Sequence, residues 1–198
     1  MQHTHYRSAA HPNWRLAWIA GLVLTGCADA SRATSADAST REAPSLHARH
    51  AASAGVPGDV QRQIARLRAV TAPFHQFRKA VAAGWGTQVT GCFSDAELGG
   101  MGYHYGNVAL IDGVVDALKP ELLLYEPRSN GELRLVAVEY VVPFDAWSDA
   151  SPPELYGQSF HRNEAFGLWV LHVWHFRHNP RGIFADWNPR VSCDHAAP

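Results

Sequence analysis

No run of about 20 apolar residues occurs in this chain, so no stretch is long enough to cross a bilayer as a helix. Charge of one sign is also lacking. Seventeen Lys and Arg face 18 Asp and Glu, a formal net charge of -1 with a pI near 6.9. Without a basic stripe the electrostatic footprint of nucleic-acid binding is missing. The sequence has no internal repeat, which excludes a solenoid or propeller. It carries no HExxH, CxxC, GxSxG, phosphate loop or dinucleotide fingerprint, so no compact motif declares a protease, an esterase or a nucleotide enzyme. Cysteine is scarce, at three residues, and their spacing fits no cysteine metal site.

What is present begins with an address. Arg7 and Arg15 precede a short apolar run, Leu16 to Leu24, and small residues then lead into Cys27. A positive start, an apolar middle of about 7–15 residues and a small-residue cleavage site are the order of a secretory signal. Leu24-Thr25-Gly26-Cys27 resembles the lipobox of bacterial lipoproteins. The resemblance implies cleavage before Cys27 and a diacylglyceryl thioether on its sulfur. An ordinary signal cut near Ala28-Asp29-Ala30 is the alternative. Ala28 after the cysteine looks like an outer-membrane sorting signal in the same pattern. The expectation is an exported protein, lipid-anchored to a membrane and facing the periplasm or the cell surface.

Residues 1–26 are thus read as signal peptide. Residues 27–56 are rich in Ala, Ser, Thr and Arg with no aromatic, too little apolar surface to offset the entropy of ordering, and are read as a disordered linker. Residues 57–198 have the size of one domain and hold Trp85, Trp147, Trp169, Trp174 and Trp187 for a core. Acylation of Cys27 would leave Cys92 and Cys193, an even pair in an oxidising compartment, and a disulfide is expected between them, with two buried thiols as the alternative.

Val60, Ile64, Leu67 and Val70 recur at helical spacing, with Asp59 where an N-cap would stand. Thr71-Ala72-Pro73 should end this helix, and Phe74, Phe77 and Val81 mark a second that stops at Gly84 or Gly86. Gly91 to Gly106 reads as a glycine-rich irregular segment. Glu121 to Tyr125, the turn Ser129-Asn130-Gly131 and the alternating Glu132 to Val142 predict a hairpin. Gly167 to Phe176 predicts a further strand, and Pro143 to Asn163 a long loop. Asp112 and Asp116 read as caps or turn formers. Helices first and strands later give an α+β class: N-terminal helices packed on an antiparallel β-sheet in a single domain.

Strand parity supplies the chemical clue. Residues two apart share a face, so Glu139 projects with Leu133, Leu135, Ala137 and Val141. His172 projects with Leu168, Val170, Trp174 and Phe176, while His175 points the other way. An unpaired buried carboxylate costs several kcal/mol or is driven to its neutral form, and His172 on an adjacent strand is an economical partner. His104, between two tyrosines, is a third member and His161 a fourth candidate. Two imidazoles and one carboxylate suit zinc, copper or non-haem iron(II). A Glu–His hydrogen-bond pair without metal is the alternative. Were 172–178 helical, His172, His175 and His178 would share a face, but the flanking Trp, Val and Phe argue for a strand. His195 is expected to be exposed.

The strings Gly100-Met101-Gly102-Tyr103-His104-Tyr105, Pro120 to Pro127, Val136-Ala137-Val138-Glu139-Tyr140, Leu171-His172-Val173-Trp174, Asn179-Pro180 and Phe184 to Pro189 resemble a group of uncharacterised bacterial exported proteins. The similarity runs roughly from Cys92 to Cys193. It implies a coherent fold and an exported life and names no reaction. The functional expectation is a buried His/Glu pocket, with His104, Glu139 and His172 as its polar lining, that binds a metal ion or a small molecule. Two others stand beside it: a structural or interaction lipoprotein without ligand, and a metal-assisted hydrolase or lyase with Glu139 as general base.

Overall fold

The structure, a computed structural model, describes residues 56–197; the signal, Cys27 and most of the linker lie outside the described residues. Helix α1 spans Gly58–Thr71. Its N-cap is Pro57, with no side-chain cap, and Asp59 sits inside the first turn, where a carboxylate favours the positive end of the helix dipole. Val60, Leu67 and Thr71 are buried, whereas Val70 is 42% exposed. At 100° per residue, position 70 falls about 80° from the 60-67-71 stripe, and Thr71 occupies the core position instead. A 3₁₀ turn, Ala72–His75, carries the chain through Pro73 into α2, Phe77–Ala82. In α2 it is Ala80 that is buried and Val81 that is exposed.

Eight strands follow: β1 Thr87–Asp95, β2 Gly99–Gly106, β3 Leu122–Pro127, β4 Leu133–Pro143, β5 Glu154–Leu155, β6 Gln158–Ser159, β7 His161–Asn163 and β8 Leu168–Val173. Six form one antiparallel sheet in the order β1-β2-β3-β4-β8-β7, and β5 with β6 makes a separate small hairpin. The α+β class and the β3–β4 hairpin agree with the sequence. The glycine-rich segment does not: it holds the end of β1 and all of β2, which pairs with β1 through several register shifts and with β3 from Tyr103 to Gly106. Glycine is needed there for proximity. Gly102 has φ +88°, and a Cβ on it would run into the Tyr125 carbonyl. The supposed loop 143–163 likewise contains β5, β6 and the edge strand β7.

The sheet separates two cores. Val60, Leu67 and Ala80 of the helices pack with Leu123, Tyr125, Leu135, Val138, Tyr140, Val142, Leu171 and Val173. On the other face Leu122, Leu124, Val136, Ala137, Val141, Val170 and Trp174 meet Val191 of the C-terminal segment. Simple parity in β4 fails at one point. Leu124 pairs with Ala137 but Tyr125 pairs with Leu135, so Val136 is an extra residue, a bulge. Leu133 and Leu135 therefore lie in the helix-side core and not with Glu139, and Val136 changes sides in return. β8 ends at Val173, and Phe176 turns to the helix side against His75 and His175 rather than joining His172. Cys92 and Cys193 form the expected disulfide, with Cα atoms 5.8 Å apart.

Candidate functional site

Three buried side chains converge on the face opposite the helices, each from a different strand. In β2 every second residue is buried, Gly100, Gly102, His104 and Gly106, so His104 is the one side chain larger than hydrogen in that row. Glu139 stands directly across the β4–β8 ladder from His172, an antiparallel pair. Leu122 of β3 faces Glu139 from the other side, and His104 pairs with Leu124. Register thus sets Glu139 beside His172, while His104, in line with Leu124 and Ala137, reaches the carboxylate diagonally across β3. The relative exposures of His104, Glu139 and His172 are 3%, 6% and 3%.

Nε2 of His104 lies 3.4 Å from Glu139 Oε2, and Nε2 of His172 lies 3.7 Å from Oε1. Both separations exceed an ordinary hydrogen bond of about 2.7–3.2 Å, and His172 Nε2 is buried with no hydrogen-bond partner. One donor atom from each of the three residues lies within 4.8 Å of the others. The far nitrogens are held from behind. His172 Nδ1 is 3.2 Å from Asp186 Oδ1, and His104 Nδ1 is 2.8 Å from Thr90 Oγ1. Asp186 as a carboxylate only accepts, so Nδ1 of His172 carries the hydrogen. The Thr90 hydroxyl directs its own hydrogen to the Gly91 carbonyl at 2.9 Å and accepts from His104. A neutral imidazole has one N–H. With both rings neutral, as metal ligation requires, both Nε2 lone pairs face the carboxylate.

The charges follow from this arrangement. Burial pushes the Glu139 carboxyl up, opposed by His172 and reinforced by Asp186. Burial, helped by His172, drives the His104 imidazolium down to about 3, while a hydrogen bond to Gly102 resists. For His172 burial works downward, yet the carboxylates of Glu139 and Asp186 together raise it. The two rings thus shift in opposite directions: His104 is held neutral, and His172 is the ring whose imidazolium the carboxylates favour.

Beside the cluster lies a cavity of about 280 Å³. His161, on β7, lines it, and its Nε2 is 3.3 Å from Asp186 Oδ2. The fourth candidate is thus half-exposed and attached to the outer shell, outside the three-residue cluster. His175 points to the other face as parity requires; its Nδ1 is 3.1 Å from the Val173 carbonyl and its Nε2 2.9 Å from Thr71 Oγ1. His178 and His195 are exposed. Asp112 and Asp116 serve as turn formers, accepting from the amides of Val114 and Leu118.

Sequence reasoning passed over Asp186, Thr90 and Glu121. Asp186 comes from the segment after β8, fixed by the Trp174 indole on the Ala185 carbonyl and by Asn179 Nδ2 on the Trp187 carbonyl at 3.0 Å. A lone acid in Phe184-Ala185-Asp186-Trp187 was its only signal. Glu121 is buried at 2% exposure, accepts from the Val141 amide at 3.0 Å, and is pushed up by burial to about 8. Searches of family profiles, curated proteins and solved structures find no match to this chain.

Proposed function

We propose that His104, Glu139 and His172 hold a divalent transition-metal ion, zinc, copper or iron(II), with a remaining coordination position open to the cavity. The observation that carries this reading is the convergence of three buried donor atoms, one of them, His172 Nε2, without a hydrogen-bond partner. A cation among them would engage both nitrogens and the carboxylate at once. Ligand atoms about 2.0–2.1 Å from a tetrahedral ion stand about 3.3 Å apart; here each imidazole faces its own Glu139 oxygen, at 3.4 and 3.7 Å, and one donor atom from each residue lies within 4.8 Å of the others. Asp186 behind His172 is the carboxylate–histidine–metal relay that fixes a ligand's tautomer and raises its basicity. The buried hydrogen-bond network without ligand is the weaker reading, because the contacts it needs are too long. A bound ion next to the cavity would act as a Lewis acid or bind the head group of a ligand, and Glu139 would neutralise half its charge.

Elemental mass spectrometry on the purified full chain tests the reading. Near-stoichiometric zinc, copper or iron that disappears in His172→Ala is expected. A metal-free protein that takes up none of the three, and whose melting temperature none of them raises, overturns it. We further propose that the chain is exported and anchored through acylated Cys27. Cys27→Ala should release it from membranes, and continued lipid labelling of that variant would refute the anchor.

A further inference from the structure

The cavity beside the cluster is built unevenly. Val89, Phe93, Met101, Leu122, Val141 and Val170 line its walls, and no Lys or Arg does so among the described residues. Its polar groups are mostly engaged. Thr90 is hydrogen-bonded to His104, and His161 Nε2 lies 3.3 Å from Asp186. Asn163 and Trp187 are the remaining polar handles. Phosphate and nucleotide ligands need cationic or amide cradles, and sugars need many convergent donors and acceptors. Neither is offered here.

We propose that the cavity takes a small apolar molecule with a single metal-ligating head group, the head on the ion and the aliphatic or aromatic body against the walls. This rests on the metal reading above. With a divalent ion and ionised Glu139 the inner shell carries one net positive charge, so a monoanionic head is matched and a polyanion is not. Size limits the body. About 280 Å³ holds roughly nine water-sized units, the bulk of a six-carbon acyl chain with its head.

The test uses the full chain loaded with cobalt(II), whose visible absorption reports a new ligand on the ion. Acetohydroxamate and hexanohydroxamate share a head and differ by four methylenes. Burying even part of those four methylenes should make hexanohydroxamate bind about tenfold tighter or more. Val89 is 43% exposed on β1, so Val89→Asp places a charge on the wall without cutting the core. That variant should lose the chain-length gain, the ratio of the two hydroxamate affinities falling towards one. Equal affinities for the two hydroxamates in the wild type, or tighter binding of inorganic phosphate, overturn the ligand class while leaving the metal in place. Failure of cobalt(II) to give an absorption band sinks the metal reading and this proposal with it.

Discussion

At the scale of single residues, the two inward nitrogens are selected from outside the cluster. Asp186 and Thr90 stand behind the two imidazoles, and they decide which nitrogen of each ring carries a hydrogen. Removing such an outer-shell partner typically costs 10–100-fold in metal affinity. Asp186→Asn should therefore weaken zinc binding by about 10- to 100-fold in a competition titration, with the denaturation midpoint little changed. Thr90→Val should do the same and Thr90→Ser should restore affinity; equal affinities across the three would show that the hydroxyl has no such role. His175 gives a separate prediction, far from the site on the other face. Burial, aided by Arg68 and His75 and opposed by the Val173 carbonyl, lowers it to about 4. Its unfolded value is near 6.5. A depressed histidine contributes stability that is complete above about pH 6.5 and is lost as pH falls towards 4. The loss is at most about 3 kcal/mol. Urea titrations at pH 7 and pH 4.5 should show a smaller acid loss for His175→Asn than for the wild type.

At the scale of elements, β2 sets the position of His104 because its neighbours in the row are glycines. Gly102→Ala would force a Cβ onto the Tyr125 carbonyl at a positive φ. We expect a loss of at least about 2 kcal/mol, read from denaturant midpoints, together with loss of metal uptake. An alanine variant with unchanged midpoint would show that β2 and β3 can separate at no cost. The same strand marks where the sequence was hard to read. Glycine hides alternation, since a row of hydrogens has no hydrophobic signature, and β2 therefore looked irregular. In β4 and β8 large side chains made the alternation visible, and the Glu139–His172 pair was legible from it. The bulge at Val136 was not, because an extra residue leaves no trace in composition; it shifted Leu133 and Leu135 to the other core but lay upstream of Glu139 and spared it. Asp186 was illegible for another reason. It arrives from a connection whose path is set by contacts of Trp174, Asn179 and Asn188, the last bridged to Gly100.

At the scale of the whole molecule, Cys92 and Cys193 are 101 residues apart in sequence. A loop of that length restricts the unfolded chain by about 4–5 kcal/mol on the chain-entropy account. Reduction should lower the denaturation midpoint in proportion; an unchanged midpoint with two titratable thiols would show that the bond contributes nothing. The bond has another consequence. His104, Glu139, His172 and Asp186 all fall between the two cysteines, whereas both helices lie outside them. The candidate site is thus enclosed in a covalent ring. A protease that opens this ring once, for instance in the exposed stretch at Asp149–Ser151, leaves two chains still joined by sulfur. In the language of chain topology such a nick turns a loop into a branched chain without dividing the molecule, so all four side chains stay on one covalent body.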